Sequence, residues 1–182
     1  VFRRYLVQDY AFVGTLAGLV GHAIGDAPSI AQKRRLGQFL ATLTSEENDY
    51  FERSFDALDV AESDRREPKK NAVTEALVDL LERATREGDY EERLAVLLPA
   101  EWCYLTWAST VAAGEWSAFY PEEWIELHAV AEFEALITWL RDELDRLGPE
   151  LSPRRQRRVA RFFRRTMELE EAFFDAAYEE RP

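Results

Sequence analysis

The spacing of apolar residues is the feature that most constrains how this chain can fold. Along almost its whole length, apolar side chains recur three and four residues apart, which is the period of one face of an α-helix. No stretch shows the alternation of a half-buried strand, and glycine and proline number only 8 and 7 in 182 residues. The pattern predicts helices over residues 2–23, 28–58, 71–86, 90–113, 122–147 and 153–179. We therefore expect an all-α, single-domain bundle of long helices, with a kink or a restart at Pro99.

Charge and composition exclude several classes of function. A net charge of −12 disfavours binding to nucleic acid or to an anionic membrane. No apolar run reaches the roughly 18 residues of a membrane span, and a single cysteine excludes an internal disulfide framework. We predict a cytoplasmic protein that uses no cofactor. Nearly all its basic residues are arginine, which fits either a salt-rich cytoplasm or a GC-rich genome.

Residues 154–165 contain seven arginines, a density that is typical of nucleic-acid binding. An acidic run, ELEEAFFDAAYEE, follows directly. Because the protein as a whole is acidic, we interpret these arginines as pairing with acidic surface or with a neighbouring subunit.

Four of the predicted helices carry an acidic residue in the middle of an apolar stripe. These acids are Asp9, Glu47, Glu101 and Glu170. The predicted stripe of the last helix consists of Phe163, Met167, Glu170, Phe174 and Ala177. Burying an unpaired carboxylate costs several kcal/mol, so a buried acid must be paired, hydrogen-bonded or protonated.

Four such acids can converge on one cavity, where close like charges raise the pKa of at least one of them and suit it to acid–base catalysis. The alternative is that some of them lie at the rim and bind arginines or helix ends.

The chain lacks the ligand pattern of a di-iron bundle. Such a site needs Glu-x-x-His pairs facing inward, but the residues three before His22 and His128 are Leu19 and Ile125. We therefore expect no metal. Cys103 is two residues from Glu101, about 200° around a helix, so we expect a small buried apolar side chain there rather than a nucleophile.

Five segments together resemble the TenA (thiaminase II) family across essentially the whole chain. They are FRRYLVQDYAFV, EENDYFER, LLPAEWCYL, EEWIELHAVAEF and MELEEAFFDAA. The resemblance implies a heme-oxygenase-like helical bundle that assembles as a homo-oligomer, a tetramer or a dimer. It implies hydrolysis of an aminomethylpyrimidine, or of its N-formyl form, to hydroxymethylpyrimidine in thiamin salvage. Family members usually begin with a further short segment, which we expect to precede residue 1 here.

The segment LLPAEWCYL determines which subclass the chain resembles. One subclass has a catalytic cysteine directly after the proline, and Ala100 occupies that position here. The other subclass has a glutamate in an E-x-x-Y pattern, which Glu101 and Tyr104 match. The chain therefore resembles the cysteine-less, glutamate-type subclass, although its leading LLP is closer to the other one.

The same resemblance implies roles for individual residues. Asp9 matches the aspartate that binds the aminopyrimidine ring, and Phe12 lies where an aromatic ring stacks on it. Glu170 matches the catalytic glutamate, and Glu101 supplies a second carboxylate. Glu47 is expected to support substrate binding.

Two positions depart from the family pattern. His128 lies where the cysteine subclass often has a tyrosine, and Leu77 replaces another pocket tyrosine. Tyr104 and His128 are both assigned to substrate binding. Besides the hydrolase, two alternatives stay open: a pyrimidine-binding or regulatory protein without efficient hydrolysis, and an enzyme of the same fold with other chemistry.

Overall fold

Helices form all the regular secondary structure of residues 1–178, the part of the chain that the computed structural model describes. They are α1 (Phe2–Asp26), α2 (Ile30–Thr44), α3 (Glu46–Ala57), α4 (Glu62–Arg66), α5 (Ala72–Glu87), α6 (Tyr90–Val111), α7 (Phe119–His128), α8 (Ala131–Leu147) and α9 (Pro153–Tyr178), with a 3₁₀ turn at Gly148–Glu150. The expected all-α bundle is confirmed. The last residue of the predicted sixth helix, 179, lies outside the described residues.

The predicted helix over 28–58 is two helices, so that prediction is wrong at Ser45. The hydroxyl of Thr44 donates to the carbonyl of Leu40 at 2.7 Å, and the hydroxyl of Ser45 donates to that of Ala41 at 2.6 Å. Such bonds compete with the helical backbone pattern, and Ser45 leaves helical geometry with φ −121° and ψ −86°. Helix α3 then starts at Glu46, one residue before Glu47.

The predicted helix over 122–147 is also two helices. Helix α7 begins earlier, at Phe119, and ends at His128, and α8 begins at Ala131. Val130 between them is extended, with φ −79° and ψ 153°. Neither glycine nor proline marks the break, so local propensity does not account for it.

Helix α6 continues through Pro99 without the expected restart, and a kink at Pro99 stays a prediction. Residues 92–101 are all buried, so packing can offset the backbone hydrogen bond that a proline cannot donate. The polar stretch between the predicted helices 28–58 and 71–86, where no helix was expected, contains the short helix α4.

Helix α6 is the central element of the bundle. It packs against α9, α8, α7, α1 and α5, while α1 also packs against α2 and α5. A helix surrounded by others is apolar on all sides, and the consecutive residues 92–101 are all buried. A polar side chain in the middle of α6 therefore lies inside the bundle.

The buried stripe of α9 is offset from the predicted one. Its buried residues are Phe162, Thr166, Leu169, Glu170 and Phe173. Met167, predicted to face inward, is 40% exposed, and Phe163, Phe174 and Ala177 are only partly buried. Because α9 packs against both α5 and α6, its inner face is centred about one residue before the predicted stripe. Glu170 belongs to both stripes.

The arginine-rich start of α9 pairs with acids at the start of α6. Arg155 contacts Asp89 at 2.7 Å and Glu91 at 2.8 Å, and Arg158 lies 3.8 Å from Glu92. Pairing of these two arginines with acidic residues of the same chain is therefore observed, although Glu92 is buried. No helix among residues 1–178 is long and apolar enough to cross a membrane.

Candidate active site

The four acids of the apolar stripes meet around one cavity. Asp9 comes from α1, Glu47 from α3, Glu101 from α6 and Glu170 from α9. The first, third and fourth of these side chains are buried and Glu47 is partly buried. The predicted convergence is thus observed, while the catalytic or binding role of each acid stays a prediction.

The rest of the cavity wall is mostly apolar. It consists of Phe12, Val13, Leu16, Leu77, Leu80, Leu81, Val96, Ala100, Tyr104, His128 and Thr166. The open volume inside is about 20 Å³, which is room for one or two water molecules. A flat ring ligand therefore requires these side chains to move apart.

Asp9 is held by a tyrosine from the central helix. The Tyr104 hydroxyl donates to Oδ1 of Asp9 at 2.5 Å. Burial raises the pKa of Asp9 to about 7, although the hydrogen bond from Tyr104 lowers it in part. Asp9 therefore gains or loses its proton near neutral pH. The Tyr104 hydroxyl beside it can donate to the ionised carboxylate or accept from the protonated form.

Replacing Tyr104 by phenylalanine tests this pairing. Without the hydroxyl that stabilises its carboxylate, we expect the pKa of Asp9 to rise by about one unit. Carbon-13 NMR titration of the aspartate carboxyl groups measures this shift. Tyr10→Phe is the matched control, because the Tyr10 hydroxyl donates to Asn48 at 2.8 Å instead. An Asp9 pKa that is equal in both variants contradicts the pairing.

The three glutamates of the cavity hold their protons at neutral pH. Burial is the largest cause in each, and the charge of Asp9 adds to it, raising the pKa of Glu47 to about 8 and that of Glu170 to about 8. Burial, together with the charges of Glu47 and Glu170, raises the pKa of Glu101 well above its usual value. The raised pKa values were expected, but burial contributes more than the like charges that motivated the expectation.

Glu170 is distinguished by a free oxygen atom. Its Oε2 is buried and has no hydrogen-bond partner among residues 1–178, although a buried polar atom normally has one. The side chain is 1% exposed and lines the cavity. A protonated carboxyl with an unused oxygen can exchange a proton with a ligand.

His128 closes the cavity on the α7 side. Its ring stacks on Trp124, with centroids 4.5 Å apart, and lies 5.3 Å from the ring of Tyr104. Its Nδ1 lies 2.7 Å from the carbonyl oxygen of Trp124. Burial lowers the pKa of His128 to about 4, so the imidazole is neutral at physiological pH.

Phe12 lines the cavity one turn beyond Asp9. Its ring meets that of Phe173 edge-on, with centroids 5.6 Å apart and planes at 76°. An aromatic face beside a carboxyl suits a flat, polar ring. No three His, Cys, Asp or Glu side chains within residues 1–178 are grouped closely enough to hold a metal ion.

A family model described as the TENA/THI-4/PQQC family matches residues 1–180. The chain belongs to this family.

Individual members of the family resemble the chain over most of its length. Two curated relatives are named aminopyrimidine aminohydrolase. The protein of Halalkalibacterium halodurans is 24% identical, over 99% of this chain and 81% of its own. That of Helicobacter pylori is 24% identical, over 98% of this chain and 83% of its own. A solved TenA homologue from Pyrococcus furiosus superposes with a TM-score of 0.84 at 20% identity, over 97% of this chain and 83% of its own. This last likeness supports the fold alone.

In this member of the family, the single cysteine lies outside the cavity. Cys103 lines an outer groove between α6 and α9, with its Sγ 3.9 Å from Sδ of Met167. Burial raises the pKa of its thiol to about 11, so the reactive thiolate is scarce at neutral pH. Ala100, which lies one residue before Glu101, does line the cavity, whereas Cys103 does not.

Sequence reasoning missed part of the cavity wall. Thr166 was assigned to no stripe, yet it is buried and lines the cavity, and its hydroxyl donates to the carbonyl of Phe162 at 3.0 Å. Its position four residues before Glu170 was the available signal. Leu80, Leu81 and Val96 also line the cavity, but nothing distinguishes them in the sequence from ordinary core residues.

Proposed function

We propose that this protein hydrolyses an aminomethylpyrimidine, or its N-formyl form, to hydroxymethylpyrimidine in thiamin salvage. The observation that carries the proposal is a cavity with four ionisable acids, one of which, Glu170, has an unpartnered buried oxygen. The names of the two curated relatives favour the same reaction. Asp9, Tyr104, Phe12, Glu47 and His128 bind the ring, and Glu170 and Glu101 act on the carbon–nitrogen bond.

Proton transfer by Glu170 accounts for the chemistry. The protonated carboxyl donates to the leaving nitrogen as the bond between carbon and nitrogen breaks. Water attacks the same carbon and forms the new carbon–oxygen bond. The Glu170 carboxylate then takes the proton that this water loses, so that the amine substrate and water become the alcohol and ammonia. A pKa of about 8 lets Glu170 serve as acid first and base second near neutral pH.

Glu101 supports this transfer as a neutral hydrogen-bonding group. Its pKa lies well above the usual range because of burial and of the neighbouring Glu47 and Glu170. In the protonated form it can donate to the leaving nitrogen or to the attacking water. We assign the chain to the glutamate-type subclass, in which Glu101 and water act where other members have a cysteine at the position of Ala100.

Cys103→Ser tests whether the cysteine takes part. Because the Cys103 thiol lies in the outer groove, we expect kcat/KM to change by less than about twofold. Ammonia release from the aminomethylpyrimidine measures this. A loss of more than about tenfold assigns a catalytic role to Cys103 and contradicts the water mechanism.

A substrate panel tests the function itself. Purified protein is incubated with aminomethylpyrimidine, with its N-formyl derivative and with intact thiamin, and hydroxymethylpyrimidine is quantified by chromatography. We expect product from at least one of the first two. If the pyrimidine product raises the melting temperature but no substrate is converted, the protein is a pyrimidine-binding or regulatory member instead.

We further propose a homo-oligomer that works in the cytoplasm. The outer groove between α6 and α9 exposes large apolar side chains, with Met167 at 40% and Tyr178 at 61%. Exposed apolar patches of this kind often form subunit contacts. Light scattering coupled to gel filtration is expected to give the mass of a dimer or a tetramer, and a mass near 21.1 kDa contradicts the oligomer.

A further inference from the structure

His128 has a hydrogen-bonding state that the backbone fixes. A carbonyl oxygen only accepts, so the 2.7 Å contact between Nδ1 and the carbonyl of Trp124 requires the proton on Nδ1. In a neutral imidazole the other nitrogen is then an acceptor. The side chain lines the cavity, and no hydrogen bond to Nε2 occurs within residues 1–178.

Packing prevents the ring from changing this state. Trp124 stacks on one side at 4.5 Å, Tyr104 lies at 5.3 Å, and Phe133 meets the ring edge-on at 5.4 Å. A ring flipped by 180° would place Cδ2 instead of a nitrogen against the Trp124 carbonyl, so this hydrogen bond would be lost. His128 is 5% exposed, so water does not compensate either nitrogen freely.

The other polar groups of the cavity differ from His128 Nε2 in the hydrogen bonds that they can form. The Tyr104 hydroxyl already donates to Asp9. Protonated Glu101 and Glu170 offer both a donor and an acceptor. The Nε2 atom of His128, in contrast, offers an acceptor alone. A ligand atom that meets Nε2 must therefore bring a hydrogen, or the acceptor stays unpaired at a cost.

We propose that His128 determines specificity by accepting, at Nε2, a hydrogen bond from an amino group on the ring of the ligand, so that the cavity selects amino-substituted over oxo-substituted pyrimidines. This inference rests on the proposed function, because it takes a pyrimidine as the ligand. An oxo group would set a lone pair against the lone pair of Nε2, and a site that hydrogen-bonds one group rejects the analogue that cannot. The ring nitrogen beside the amino group can accept from a protonated carboxyl of the same cavity.

Calorimetric binding measures this selection without turnover. Two ligands are compared. The first is the hydroxymethylpyrimidine product, which carries the ring amino group, and the second is the same molecule with that amino group replaced by an oxo group. We expect the wild-type protein to prefer the amino form by at least about tenfold in Kd. His128→Phe keeps an aromatic ring but has no acceptor, and its preference falls below about threefold. His128→Gln keeps an acceptor oxygen near the position of Nε2 and retains most of the preference.

Nitrogen-15 NMR tests the state of the ring in the wild-type protein, independently of the folding of any variant. The chain has only two histidines, and His22→Gln, which changes the exposed one, assigns the signals. We expect the Nδ1–H tautomer for His128, and a shift of its Nε2 signal when the amino ligand binds.

The results separate this inference from the proposed function. Turnover together with an unchanged preference in His128→Phe overturns the role of His128 and leaves the hydrolase intact. A strong preference that depends on His128, without any turnover, overturns the hydrolase and leaves the inference intact. Equal binding of both ligands by the wild type, no binding of either, or an Nε2–H tautomer overturns the inference.

Discussion

Glu170→Gln is expected to lower kcat for the aminomethylpyrimidine by at least about a hundredfold, the usual contribution of a positioned acid–base group. Glutamine keeps the size of the side chain but has no acidic proton to transfer. Because Oε2 of Glu170 has no partner within residues 1–178, the substitution breaks no hydrogen bond of that atom. We therefore expect KM to change far less than kcat. Steady-state ammonia release measures both constants.

Glu171→Gln is the matched control for this experiment. It makes the same chemical change at the next residue of α9, but Glu171 is exposed and does not line the cavity. Its kcat is expected to equal that of the wild type. If Glu170→Gln retains wild-type kcat, Glu170 is not the proton donor, and the carboxyl that transfers the proton must be sought in Glu101 or Asp9.

The second large effect expected of Glu170→Gln is on the stability of the fold, and its sign depends on pH. Burial raises the pKa of Glu170 in the folded state from 4.5 to about 8. Its contribution to stability is thus fully present below about pH 4 and is lost as pH rises through about 8, because the unfolded chain ionises first. At pH 8 this lowers the free energy of unfolding by up to about 4 kcal/mol, against about 1 kcal/mol at pH 5.

Glutamine at position 170 does not ionise, so the variant escapes this loss. An amide buried without partners costs about 1–3 kcal/mol at any pH. We expect the difference in unfolding free energy between Glu170→Gln and the wild type to move by about 3 kcal/mol in favour of the variant from pH 5 to pH 8. Urea denaturation at the two pH values measures it.

The control for stability is again Glu171→Gln, whose difference from the wild type is expected to be the same at both pH values. Relief of the neighbouring Glu101, whose pKa Glu170 helps to raise, acts in the same direction as the main effect. A constant difference between Glu170→Gln and the wild type at pH 5 and pH 8 contradicts a raised pKa. Together, the two expected results describe Glu170 as a residue that is needed for proton transfer and lowers the stability of the fold.

The sequence alone predicted that the chain is helical and which acids lie within its apolar stripes. The apolar period identifies the helical segments, because a helix buries one face whatever its partners are. The same period places Asp9 and Glu101 on inward faces, and both are buried. Breaks that depend on packing escaped this reasoning. The one between α7 and α8 has no glycine or proline, and the inner face of α9 is set by contact with both α5 and α6.

What only the tertiary structure decided is how these side chains meet. A stripe shows that an acid faces inward, but it carries no information on which acids share a cavity, because that depends on helix directions and on breaks such as the one at Ser45. Burial, the main cause of the raised pKa of Glu170, likewise arises only when α9 packs into the bundle. The sequence by itself therefore determined which residues can take part in acid–base chemistry. The packing of the helices determined the protonation of these residues and, through the Trp124 carbonyl, which nitrogen of His128 is the acceptor.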